Sequence, residues 1–207
     1  MKSDHSKAMQ RRAFSVVELL VSITVIAVLS ALALPALRGA SDAGKRTLCL
    51  RNLSQFGVAF GMYANDHNGM LPWATRNVDT AGGDTEPFTA IAHYLDCPTI
   101  QDTYARQAWK GTIFHCPSDP TFARLKGSSY VYFPAEDMLF WPGGSPQRSV
   151  SRMYLSDPMS VILKDRDSFH ASTKPLSPDA AAKAVNVLTS GGAALQGGEQ
   201  VHWSPQT

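Results

Sequence analysis

Residues 11–37 read RRAFSVVELLVSITVIAVLSALALPAL, and the last nineteen, 19–37, carry no charged side chain. At the rise of an α-helix those nineteen residues reach about 28 Å, close to the roughly 30 Å hydrocarbon thickness of a bilayer. They also outrun the short apolar region of an ordinary secretory signal, so a spanning helix is the first reading. A cleaved signal peptide is the competing one. Ala31-Leu32-Ala33 offers the small residues of a cleavage site, but Pro35 just beyond it argues against cutting there. Basic residues do not orient the span, because Lys2, Lys7, Arg11 and Arg12 before it are balanced by Arg38, Lys45, Arg46 and Arg51 after it.

The rest of the chain has the composition of a folded protein. It has 207 residues, 44% hydrophobic and only 17% charged, far from the polar, highly charged make-up of disordered chains. Net charge is +2, and the basic residues before the span account for more than that surplus, so a nucleic-acid-binding body is not expected. Three cysteines without Cys-x-x-Cys spacing exclude a zinc ribbon and a disulfide-built scaffold.

Beyond Arg38 the pattern turns amphipathic. Cys49, Leu53, Phe56, Phe60 and Tyr63 recur every three or four residues, while Asp42, Lys45, Arg46, Arg51, Asn52 and Gln55 take other faces. The pattern stops at Asn65-Asp66-His67-Asn68-Gly69, which carries helix-ending chemistry, so a helix over 14–65 is predicted. Gly39, Gly44, Gly57 and Gly61 each weaken its interior by roughly 1 kcal/mol against Ala, and a bend around 39–44 is compatible with them. After a Gly, Asp and Thr rich loop over 77–86, Pro87 opens a short helix over 87–95. Strands are predicted at 112–114, 129–133, 160–163 and 184–188, the last turning through Gly191-Gly192 into a hairpin with 193–195. The aromatic stretch Tyr130, Tyr132, Phe133, Phe140 and Trp141 reads as core rather than ligand surface. The expected fold class is α+β, a long N-terminal helix packed on a small, mostly antiparallel sheet.

The junction before the span narrows the reading. A short basic leader ends in Arg11-Arg12-Ala13 and passes directly into Phe14-Ser15-Val16-Val17-Glu18-Leu19-Leu20. This resembles the processing site of type IV pilins and type II secretion pseudopilins, with Ala13 where the family more often has Gly. The resemblance implies cleavage by prepilin peptidase between Ala13 and Phe14, N-methylation of Phe14, and a role for Glu18 in neutralising the free amine of a neighbouring subunit during assembly. Physical chemistry favours a partner of that kind, since a carboxylate within a membrane helix costs on the order of 2.5–3.5 kcal/mol by insertion scales. Pro35 matches the helix-bending proline of many such pilins. Four segments follow: a leader at 1–13, a membrane or filament-core helix at 14–38, its amphipathic continuation at 39–66, and a globular head at 67–207.

Further blocks resemble one multi-copy group of pilin-like proteins. Cys49-Leu50-Arg51-Asn52-Leu53-Ser54-Gln55-Phe56-Gly57 is similar to its Cys-x-x-Asn-Leu-x-Gln-Ile-Gly block, and Tyr63 to Pro72 contains its Tyr…Asn-Gly-x-x-Pro turn. Phe114-His115-Cys116-Pro117-Ser118-Asp119 with Ser129-Tyr130 is similar to its Cys-Pro-Ser-Asp and Ser-Tyr segments. His170 and Asn186-Val187-Leu188 are kept, but Thr189-Ser190-Gly191-Gly192-Ala193 stands where the group has Asp-Gly-His, leaving the hairpin shape without those side chains. The resemblance implies a single-pass protein of the inner membrane with its head in the periplasm or outside the cell. Its implied partners are prepilin peptidase, other pilin-like subunits and an inner-membrane assembly platform. An oxidising compartment implies one disulfide. Cys49 with Cys116 is the pairing the two blocks suggest, Cys97 with Cys116 is the sequence-local alternative, and three free thiols the remaining one.

No metal, cofactor or catalytic group is expected. Six scattered histidines show no ligand spacing, and Asp66-His67-Asn68-Gly69 lacks the distal Glu of a calcium loop. Some pseudopilins carry calcium near their sheet, and Asp79, Asp84 and Glu86 are the residues here that offer it oxygen ligands, without a spacing that demands it. No nucleophile elbow, Walker loop or dinucleotide fingerprint occurs. The reading from a different class is a membrane-anchored binding or enzymatic head using the pilin-like helix as an anchor.

Overall fold

In the computed structural model, which describes residues 15–74, 86–97, 112–120, 128–165, 185–196 and 201–202, helix α1 covers Val16–Asp66. By contacts the chain divides into two units, Met1–Ser41 and Asp42–Thr207, and each is treated by itself. In the first unit the helical backbone runs on through Pro35 although proline brings no N–H to it. Ser22 and Thr24, polar residues in the apolar run, donate their hydroxyls to the carbonyls of Glu18 and Val21 at 2.6 and 2.8 Å. Neither therefore needs a partner outside the helix.

In the second unit the predicted stripe is the buried one. Cys49, Leu53, Phe56, Phe60 and Tyr63, joined by Ala59, face the core. α1 stops where Asn68 and Gly69 take left-handed backbone angles, φ 55° and 74°, and the Gly69 N–H reaches back to the Ala64 carbonyl at 2.7 Å.

The remaining elements are α2 (Glu86–Ala92), a 3-10 turn (His93–Leu95), β1 (Tyr130–Tyr132), α3 (Pro134–Phe140), α4 (Pro146–Ser156), β2 (Val161–Asp165), β3 (Asn186–Thr189) and β4 (Ala194–Gln196). The four strands form one antiparallel sheet in the order β1-β2-β3-β4. β3 and β4 make the expected hairpin, closed by the Gly192 N–H on the Thr189 carbonyl and the Thr189 N–H on the Ala193 carbonyl, with Gly192 at φ 84°. A parallel bridge from His202 continues the sheet beside Ser160, at the end of β2 that β1 does not reach.

Two expectations are corrected. Residues 112–114 are not a strand. His115 N–H bonds the Thr112 carbonyl and Asp119 N–H the Cys116 carbonyl, so this segment is a pair of turns that delivers Phe114 and Cys116 to the core. The aromatic run ends as a strand at Tyr132 because Pro134 starts α3, so Phe140 lies exposed at that helix's end instead of in the core. Helices α3 and α4 were not anticipated, although Pro134-Ala135-Glu136-Asp137 and Ser145-Pro146 carry helix-start signals.

Phe56 organises the core, with ring centroids 5.9, 5.2 and 5.3 Å from Phe88, Phe114 and Tyr130. One helix residue thus touches α2, the turn before Cys116 and β1. Val161, Val185 and Val187 form a second, smaller cluster with Phe133, Leu195 and Val201.

Candidate membrane segment and the clasp of the head

The apolar run is uncovered. Its large side chains are exposed from 51% at Val25 to 71% at Leu32, and α1 is long and apolar enough there to cross a membrane. At its start the Ser15 main-chain N–H donates to Glu18 Oε2 at 3.0 Å, with Ser15 preceding the first helical residue. Ser15-x-x-Glu18 is therefore half of a capping box, which gives Glu18 a local partner that composition alone did not suggest. Ala13 and Phe14 lie outside the described residues. So do Asp79, Asp84 and His170, and nothing is described of the Glu86 side chain. Among the described residues no three His, Cys, Asp or Glu side chains group as a metal site.

In the head, Cys49 and Cys116 are bonded, with Cα atoms 5.2 Å apart across 67 residues of sequence. Closing a loop of that size removes unfolded-state entropy worth about 4 kcal/mol by the chain-entropy model. Cys97 is left as a half-buried thiol, its pKa raised first by burial and then by the neighbouring Asp96 charge, which disfavours the reactive thiolate.

The blocks quoted from the sequence converge on this bridge. Asn52 Nδ2 donates to the His115 carbonyl and to Tyr130 Oη, both at 3.3 Å. Ser129 Oγ donates to Asp119 Oδ2 at 2.6 Å and accepts from the Cys116 N–H at 2.9 Å, so the buried Asp119 is tied to the strand that follows. Tyr132 Oη reaches the Pro72 carbonyl at 3.0 Å. Together these bonds form a clasp that holds α1, two turns and β1 as one piece. Burial, then the Asp165 charge, drives the Tyr130 phenol far above its ordinary range, so it stays a neutral donor and acceptor.

A second polar feature was missed in the sequence. Tyr130 pairs with Asp165, Asn186 pairs with Gln196, and the Asn186 N–H donates to Asp165 Oδ2 at 2.7 Å, so four polar residues cross the sheet in successive register. Tyr130, Asp165 and Asn186 are fully buried. With its amide turned, Gln196 accepts from both terminal nitrogens of Arg46 at 2.8 and 3.2 Å. Strand register, rather than sequence spacing, brings these residues together.

Asp157, Ser160 and His202 also meet. His202 Nδ1 lies 2.6 Å from Asp157 Oδ2, Ser160 Oγ donates to the same oxygen at 3.0 Å, and the Met159 N–H donates to Oδ1 at 3.1 Å. The hydroxyl bonds the acid and not the imidazole. The set therefore lacks a nucleophile–base contact and reads as a turn-closing carboxylate that secures the end of β2. No protein-family model matches the sequence, and no match was found among curated proteins or solved structures.

Proposed function

We propose that this chain is a pilin-like filament subunit of a type II secretion or type IV pilus-type system, processed after Ala13 and assembled through its N-terminal helix. The observation that carries the reading is the wholly uncovered apolar run after Glu18. Such a surface requires lipid or neighbouring copies, and a filament core supplies the second once the first is left. In this reading Glu18 exchanges its local bond to Ser15 for the α-amine of Phe14 on a neighbour. Its charge then selects register, because a misplaced copy would leave it unpaired. The head stands outside the cytoplasm, where the Cys49–Cys116 bridge persists.

Mass spectrometry of the amino terminus of protein recovered from its native membranes tests this. A chain beginning at methylated Phe14 is expected. An intact Met1 would replace the filament reading with a permanent anchor, and a start near Leu34 would replace it with a secreted domain.

A further inference from the structure

α4 is fastened to the turn after α1 by two bonds one helical turn apart. Gln147 Nε2 donates to the Leu71 carbonyl and Ser151 Oγ accepts from the Leu71 N–H, each at 2.8 Å. The next residue after each is an arginine, so Arg148 and Arg152 stand four apart along the neighbouring edge of α4. That edge borders an open depression of about 490 Å³, where both arginines meet Asn68, Gly69, Met70 and Ser156.

Charge makes this arrangement informative. Among the described residues no carboxylate lines the depression and neither arginine has an ion pair. Like charges at this helical spacing repel by a few tenths of a kcal/mol, a cost that a bound anion reverses. Two guanidinium groups at this spacing, together with the amide of Asn68, present donors to an oxyanion with two or more free oxygens, while the Ser156 hydroxyl is already given to the Met153 carbonyl at 2.8 Å. Because Gln147 and Ser151 hold the helix to the turn, the backbone under both arginines is already in place before any ligand arrives.

We propose that Arg148 and Arg152 form an oxyanion site on the head, taking a phosphoryl or carboxylate group of a ligand outside this chain. All of its residues belong to the second unit, and the proposal does not depend on the filament reading.

The test is isothermal titration of the full chain, in a non-ionic detergent, with inorganic phosphate and separately with trigalacturonate. Sodium chloride at matched ionic strength serves as the blank. Saturable heat with at least one of the two probes is expected, weakened at least tenfold in the Arg148→Gln/Arg152→Gln double variant and unchanged in Arg51→Gln, an exposed arginine of α1. Phosphate binding alone would assign the site to phosphoryl groups, and trigalacturonate binding alone to carboxylates. Absence of heat beyond the chloride blank with both probes would overturn the proposal, as would equal binding by the double variant. Both arginines are exposed, so the double variant's thermal midpoint without ligand should match that of the unaltered chain.

Discussion

A methyl group placed on Gly57 would lie 3.1 Å from Leu188 Cδ1 and 3.2 Å from the carbonyl oxygen of Gly192. The C-terminal part of α1 thus rests directly on the β3–β4 hairpin, and the missing side chain sets how closely helix and turn approach. Gly61, one turn further on, has nothing within 4 Å of the same position. Opposite outcomes follow from one residue type. Gly57→Val should destabilise the head by about 1–3 kcal/mol through overpacking against backbone that cannot move aside. Gly61→Ala should stabilise it by up to about 1 kcal/mol through helix propensity. Urea unfolding of the full chain in detergent measures both, and a stable Gly57→Val variant would contradict the close approach.

The Cys49–Cys116 bridge ties α1 to the turn before β1 across a long loop. Cys49→Ser/Cys116→Ser should lose about 4 kcal/mol of head stability, while Cys97→Ser should change it little. Comparing urea midpoints of the variants with and without reductant checks this. Reductant should lower the midpoint of the unaltered chain and leave that of the double variant where it is.

Asp157 has its pKa lowered, first by the hydrogen bond from His202 and further by the Met159 N–H and Ser160, with desolvation opposing them. A carboxylate whose folded pKa is depressed adds stability above its ordinary value of 3.8, and that stability is lost as pH falls through the lower folded value. The thermal midpoint of the unaltered chain should therefore exceed that of Asp157→Asn at pH 6, and the gap should close as pH drops below 3.8. A gap that stays constant across that window would remove the linkage.

Glu18 has two roles to separate, the cap on Ser15 and the proposed charge pairing with a neighbour. Glu18→Gln keeps an oxygen for the Ser15 N–H but carries no charge. Both Glu18→Ala and Glu18→Gln should still reach the membrane fraction, and both should fail to form filaments visible by electron microscopy. Normal filaments from Glu18→Gln would leave only the cap.

Periodicity and apolar length were enough to place α1, its end at Asn68-Gly69, its buried stripe and the β3–β4 hairpin. Each rests on neighbours a few residues apart, where helix and turn geometry leave little choice. The strand expected at 112–114 became turns because a bridge to Cys49 and bonds with Ser129, whose N–H donates to the Phe114 carbonyl and whose Oγ accepts from the Cys116 N–H, hold Phe114 and Cys116 there, and propensity yields to such distant contacts. The polar row from Tyr130 to Gln196 and the arginine-lined depression depend on which strand pairs with which and on how α4 is fastened to Leu71. Sequence by itself determined the elements whose stabilising contacts are local. Tertiary structure alone decided which polar residues far apart in sequence are brought together, because register and side-chain bonds between elements set those distances.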